Sequence, residues 1–308
     1  MTHILFVFIN ILLPIFLQIG IGYALNKKFN IHTGTLAKIQ FYVFIPALLF
    51  TKIYETALDS TLFLRIVGVN VLLFGVIYVL SLVLSRVNRY NKKTKSAFIN
   101  SICFYNSGNY CIPLVQLLYN TPYAFSIQII VMLTQNVLTN TFGIFNSSVG
   151  NKSVKQALLD TLKIPMIYAV GLAVLFRGLS LEVYSPAWSA LSILGQGLVP
   201  TALITLGAQL ANTKMRFKIP KVYLSNIMRL LISPVIAYFI LVLLGIEGVA
   251  AQVIMICAAA PTAVNTVLLA IEFDNEPDYA SQTVFSSTVF SAVTVSLVIY
   301  AAQLLFKT

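Results

Sequence analysis

Long apolar stretches recur along this chain, separated by short polar punctuation, and few of them carry a charge. Ten such stretches fall at about 4–25, 36–54, 61–85, 96–119, 122–148, 157–177, 186–211, 221–245, 248–271 and 279–305. Most exceed the roughly 20 residues that a helix needs to cross the hydrocarbon of a bilayer. The pattern therefore predicts an all-α polytopic membrane protein with ten transmembrane helices. Two of the stretches are interrupted. Span 4 contains Phe104-Tyr105-Asn106-Ser107-Gly108-Asn109-Tyr110-Cys111-Ile112-Pro113, and span 9 contains Cys257-Ala258-Ala259-Ala260-Pro261-Thr262-Ala263-Val264-Asn265. Each places a helix breaker and amide side chains inside an otherwise apolar run. Broken helices at membrane depth are tolerated only where protein buries them or where they line a cavity.

The interruptions belong to a wider repetition. Pro14 and Gly20 of span 1 are matched by Pro165 and Gly171 of span 6, an offset of 151. Phe44-Ile45-Pro46-Ala47-Leu48-Leu49 of span 2 parallels Leu198-Val199-Pro200-Thr201-Ala202-Leu203 of span 7, an offset of 154. Pro113 and Pro261 are separated by 148. Residues 1–150 and 151–308 then form two five-helix repeats. Five is odd, so the halves enter the membrane from opposite sides, an inverted repeat of the kind found in secondary carriers. A pair of broken segments in matching positions is the sequence pointer to such a carrier's binding site.

Proline suits the first turn of a helix, where its missing N–H costs nothing. Pro113 and Pro261 are accordingly expected to start new half-helices, bringing two helix N-termini toward one small volume. Such termini carry partial positive charge and free N–H groups, the ingredients of an anion site. Amide donors stand ready beside them: Asn106 and Asn109 before one proline, Asn265 a turn after the other. Span 5 adds Gln135, Asn136 and Asn140, with Asn136 and Asn140 on one helical face.

Composition sharpens the class. The 308 residues are 58% hydrophobic and 9% charged, with mean hydropathy +0.89, against about 25% charged residues in soluble domains. The net charge of +11 is a topology signal and gives no reason to invoke nucleic acid. The loops after spans 1, 3, 5, 7 and 9, with their flanks, hold 15 of the 20 Lys and Arg residues, from Lys27 and Lys28 through Arg86–Lys95 and Lys152–Lys163 to Lys214–Lys221. Those loops are expected to be cytoplasmic and next to anionic lipid, with both termini outside the cell membrane. No basic residue precedes the first apolar run, while Lys27 and Lys28 follow it, which fits a retained first helix. Lys52, Arg65 and Arg229 fall just inside span ends and are expected to snorkel. Arg229, the deepest of them, could alternatively balance an entering anion.

All nine Asp and Glu residues lie in loops or at span ends, and His3 and His32 are terminal or in a loop. Proton relays and cation sites use ionisable groups at mid-membrane, so a buried-carboxylate antiporter is disfavoured. No paired aspartates, His-Glu-x-x-His run or second aspartate-rich motif is present to suggest an enzyme. The tract Glu272-Phe273-Asp274-Asn275-Glu276-Pro277-Asp278 reads as a solvated loop. Cys103, Cys111 and Cys257 all fall in spans and read as small apolar filler. No metal or organic cofactor is expected, and coupling to protons or sodium is left open.

At the two interruptions, and at Phe44-Ile45-Pro46-Ala47-Leu48-Leu49-Phe50, the chain resembles the auxin efflux carrier family, which includes plant exporters of auxin and bacterial permeases for malate or malonate. The resemblance runs over nearly the whole length. It implies a homodimer built on a scaffold of spans 1, 2, 6 and 7, and a transporter domain of spans 3–5 and 8–10, with spans 4 and 9 crossing. It also implies a small carboxylate bound beside the crossing, with Asn109 a carboxylate contact and Gln135 or Asn136 lining the pocket. The expected function is secondary transport of a small organic anion by an elevator-like motion. The alternative is a sodium-coupled anion symporter similar to the bile-acid symporters, its sodium caged by neutral oxygens. A receptor that binds without flux is a third class.

Overall fold

The computed structural model describes residues 2–55, 60–148, 165–213 and 220–307. The loops around Lys152–Lys163 and Lys214–Lys218, and Asp59 and Asp160, lie outside the described residues. Among the described residues every regular element is a helix, and the single β-bridge joins Tyr105 to Thr262. In chain order the helices are α1 (Leu5–Phe29), α2 (Thr33–Glu55), α3 (Ser60–Val87), α4 (Lys92–Cys103), α5 (Cys111–Tyr119), α6 (Pro122–Ser147), α7 (Pro165–Gly178), α8 (Ser185–Ala211), α9 (Pro220–Leu243), α10 (Gly248–Ala258), α11 (Asn265–Glu272) and α12 (Pro277–Leu305). Seven of them (α1, α2, α3, α6, α8, α9 and α12) are long and apolar enough to cross a membrane. The chain is therefore a multi-pass membrane protein.

Prolines inside the long helices leave a common mark. A proline ring clashes with the carbonyl four residues earlier. Pro14, Pro46 and Pro234 each follow a wide π turn that contains that fourth-preceding residue: Phe8–Leu12, Gln40–Phe44 and Met228–Ile232. The wider turn moves the carbonyl out of the ring's way without ending the helix. Pro200 acts differently, and α8 is interrupted at Gly197, between Gln196 and Leu198. A fourth π turn, Thr139–Gly143 in α6, has no proline behind it.

Two sets of pairings organise the bundle. α1 lies along α8, and α2 packs on α7 and on the first half of α8. The α1–α8 contact is backbone against backbone: a Cβ on Gly207 would sit 1.9 Å from the Ile19 carbonyl oxygen, and one on Gly22 would sit 2.1 Å from that of Ile204. Polar side chains bind the same helices together, with Asn26 Nδ2 donating to the Ala208 carbonyl at 2.8 Å and Gln40 Nε2 to Thr205 Oγ1 at 2.6 Å. In the second set, α3 packs on α4 and α6, α9 on α10, α10 on α6 and α12, α5 on α6, and α11 on α12.

The acidic tract between α11 and α12 is solvated at Glu272, Asp274 and Asp278, as expected, but is anchored through Asn275 and Glu276. Lys93 pairs with Asp274, Lys221 approaches Glu276 at 3.7 Å, and Thr94 Oγ1 donates to Glu276 at 2.9 Å. Buried Asn275 donates to the Ser147 carbonyl at 2.7 Å. Asp274 and Glu276 take left-handed conformations, with φ of 51° and 53°, which turn the tract back onto the first turns of α4 and α9.

Gly207→Ala should cost about 3 kcal/mol of stability, the upper range for forced overpacking, because a backbone carbonyl rather than a side chain must give way. Thermal unfolding in detergent checks this; an unchanged midpoint would mean that α1 and α8 are not in such close contact.

Candidate functional site

The two interruptions meet. α4 stops at Cys103 and α5 begins at Cys111; α10 stops at Ala258 and α11 begins at Asn265. Between them the segments run antiparallel, with Tyr105 opposite Thr262. Asn106 N–H donates to the Pro261 carbonyl at 2.8 Å, and Ala263 N–H to the Phe104 carbonyl at 3.0 Å. Proline has no N–H to donate, and here only its carbonyl is asked for.

Several other freed backbone groups are met by side chains. Gln128 Nε2 donates to the Ser107 carbonyl at 2.6 Å and Gln135 Nε2 to the Cys103 carbonyl at 3.0 Å. Thr262 Oγ1 donates to the Ser101 carbonyl at 2.8 Å, while its N–H reaches Ser287 Oγ at 3.1 Å. Cys257 Sγ donates to Gln128 Oε1 at 2.7 Å, so this thiol holds an amide in register and is more than filler.

The prolines sit differently from the expectation that each opens a half-helix. Pro113 is the third residue of α5, and Pro261 lies in the extended segment four residues before α11. The first residue of α11 is Asn265 itself.

Beside this crossing lies a cavity of about 180 Å³. One wall comes from the interruptions and α6: Tyr105, Asn106, Asn109, Gln135, Asn136 and Asn265. The other wall comes from α2, α7 and α8, through Gln40, Phe41, Ile45, Met166 and Gln209. None of its lining residues is an Asp, Glu, Lys, Arg or His. Asn106 Nδ2 and Gln209 Oε1 are buried there without a hydrogen-bond partner. Gly108 and Asn109 come just before Tyr110, which caps α5, and Val264 caps α11, which Asn265 opens, so two helix N-termini border the same space.

Five of the seven residues singled out from the sequence thus line one cavity: Asn106, Asn109, Gln135, Asn136 and Asn265. Pro113 and Pro261 do not; both are buried in the backbone framework. Asn140 is not a lining residue either. Gln40 and Gln209 were missed, although an amide inside an apolar span is the signal that would have found them.

The chain matches, over residues 7–299, the model of a family described as membrane transport protein. It belongs to the auxin efflux carrier family. It is 26% identical over 268 residues, 86% of this chain and 87% of the relative, to an "Uncharacterized transporter" of Methanothermobacter thermautotrophicus. It is 24% identical over 307 residues, 94% of each chain, to a "Putative malonate transporter" of Rhizobium meliloti. A further relative in Methanocaldococcus jannaschii, also named as an uncharacterized transporter, matches 46% of the chain at 24% identity.

In this member of the family, Arg229 does not snorkel. It is 1% exposed, held within the π turn of α9, where Nη1 donates to the Ile102 carbonyl at 2.8 Å. Nη2 donates to the Ala258 carbonyl and to Ser233 Oγ. Its guanidinium carbon stands 4.8 Å from the centre of the Tyr105 ring. Snorkelling assumes that water is the best available partner; here the carbonyls at the ends of α4 and α10 replace it. Arg65 remains exposed, and Lys52 pairs with Glu55 at 3.1 Å.

Replacing Gln128 by Leu leaves the Ser107 carbonyl buried and unpaired, which should cost about 1–3 kcal/mol. Thermal unfolding in detergent reads the loss, and a midpoint equal to wild type would show that another donor takes over.

Proposed function

We propose that the chain is a secondary carrier of a small organic anion, its carboxylate held in the cavity beside the crossing of α4–α5 with α10–α11. The observation that carries this is an uncharged lining rich in amides, flanked by two half-helix N-termini and containing an unpartnered buried donor, Asn106 Nδ2.

Magnitudes support an amide site rather than a purely dipolar one. Removing a carboxylate from water costs several kcal/mol. A helix terminus returns about 0.3–1 kcal/mol, or ~2 when partly buried. A hydrogen bond to a charged group contributes about 1.5–3 kcal/mol. Two termini and two or three amide donors therefore suffice, and Asn106, Asn109, Asn136 and Asn265 can supply them. Gln135 has already committed its Nε2 to Cys103, so its part is to fix the wall.

Ten crossings in two inverted repeats account for the helix pairings, which recur when each span is exchanged for the one five places on: α1 with α8 becomes α7 with α2. In this reading α1, α2, α7 and α8 form the scaffold of a homodimer, and α3–α6 with α9–α12 form the moving group. The cavity takes one wall from each group, as an elevator mechanism requires. The basic-loop asymmetry sets both termini outside the cell membrane. The malonate named for one relative suggests the size of the guest. Ser107, Thr139 and Tyr105 also offer neutral oxygens at the cavity, which keeps sodium coupling as the second reading.

A thermal-shift screen of purified protein against mono- and dicarboxylates, with and without sodium, should find a stabilising carboxylate. Asn109→Ala should then abolish its uptake into proteoliposomes while expression and unfolding midpoint stay at wild-type values. Wild-type uptake by that variant would locate the site elsewhere, and stabilisation only in sodium would favour the symporter.

A further inference from the structure

We infer that Arg229 is the fixed counter-charge of the transported anion and the group that gives the cavity its positive sign. The inference rests on the reading of the cavity as a carboxylate site on a moving group of helices. Among the described residues Arg229 is the only charged side chain that is buried, and none of the ion pairs involves it. Every described carboxylate lies at a helix end or in a loop. A lone buried cation is costly unless fixed dipoles replace its water.

The dipoles are identifiable. Ile102 and Ala258 are in the last turns of α4 and α10, and their carbonyls both accept from the guanidinium. Each helix C-terminus carries about half a negative charge, and each N-terminus about half a positive one. At the crossing, two C-termini and two N-termini converge, and unaided their fields would largely cancel. Arg229 neutralises the negative pair. What remains toward the cavity is the positive pair, the starts of α5 and α11.

Separation between the charge and the guest is short. Tyr105 has its ring against the guanidinium and also lines the cavity. A void of about 10 Å³ next to Arg229 is bordered by Tyr105 and Gln135, both of which border the main cavity too. One side chain's thickness therefore lies between cation and guest. Arg229 touches no guest directly; it acts through Tyr105 and the helix ends, as a positioning residue. The empty moving group carries one positive charge inside the membrane, and a bound monocarboxylate reduces this to zero.

The test uses purified protein in liposomes and sodium-free buffer, with a potassium–valinomycin potential and labelled lactate and malonate as mono- and dicarboxylate probes. With lactate on both sides, wild-type exchange should ignore the potential, whereas net efflux into lactate-free buffer should change several-fold over about 100 mV. Arg229→Gln should make exchange the voltage-sensitive process and raise the apparent KM about tenfold, the effect of a unit charge near 10 Å in a partly screened interior. Arg229→Lys should restore the wild-type voltage pattern. With malonate as a dianion, Arg229→Gln should roughly double the charge carried in exchange.

Wild-type lactate exchange that follows the potential, or a glutamine variant with the wild-type voltage pattern and KM, overturns the assignment. If the glutamine variant does not fold, the lysine variant and the wild-type exchange measurement decide alone. If the wild type moves neither anion but is stabilised by one in detergent, the counter-charge role fails while the cavity reading stands. If it neither moves nor binds a carboxylate, both fail.

Discussion

The structure depends on one constraint: backbone groups released by a broken helix inside a bilayer must find partners within the protein. Each interruption frees several carbonyls and N–H groups, and a single broken helix could satisfy them only with side chains. Two broken helices can satisfy part of the debt by pairing with each other. The antiparallel contact of Tyr105 with Thr262 does this through Asn106 N–H to Pro261 and Ala263 N–H to Phe104. Others fall to Gln128, Gln135, Thr262, Ser287 and Arg229, each bonded to a named backbone atom. These buried polar side chains are therefore required by the crossing before any question of a ligand arises.

Once the backbone is satisfied, the polar atoms left over define the site. Asn106 has its N–H in the bridge and its side-chain nitrogen unpartnered. Gln209 faces it across the cavity from a different group of helices, with an unpartnered oxygen. Three of the four π turns lie at this centre: Gln40 and Thr139 line the cavity, and Arg229 sits beside it. A π turn is a local misfit in helix packing and is common at functional sites. In α2 and α9 its cause is the following proline, so Pro46 and Pro234 also help to set the positions of Gln40 and Arg229.

What the sequence made legible was local. Seven of the apolar spans, the two breaks and the amides beside them are marked by nearby residues, and Asn106, Asn109, Gln135, Asn136 and Asn265 do gather at one cavity. What it hid depends on partners distant in the chain. Arg229 looks like a snorkelling residue until Ile102 and Ala258, 127 and 29 residues away, are placed against it. The acidic tract is solvated as it reads, but its anchoring by Asn275 on Ser147 and by Glu276 on Thr94 and Lys221 depends on residues far away in the chain. Gln40 and Gln209 gain meaning only when α2 and α8 are brought against the crossing, far away in the chain. The prolines misled for another reason: their preference for a helix's first turn is real, but Pro261 serves as an acceptor in an extended pair.

For a carrier, binding must be strong enough to select and weak enough to release. A lysine or arginine in the cavity wall would hold a carboxylate by a direct, poorly hydrated ion pair and slow its departure. The arrangement here separates the two demands. In the reading proposed above, amides in the wall give direction and modest strength, while the only buried cation of the described residues stands behind Tyr105, with Nη1 and Nη2 bonded to helix-end carbonyls and Ser233 and with Nε unpartnered. The sign of the field is thereby fixed without a trap for the guest. The opposite wall contributes Phe41, Ile45 and Met166, apolar side chains that have no directional bonds to break if the two groups slide past each other. Firm polar ties are kept within each group, as with Asn26 to Ala208 on one side and Gln128 to Ser107 on the other.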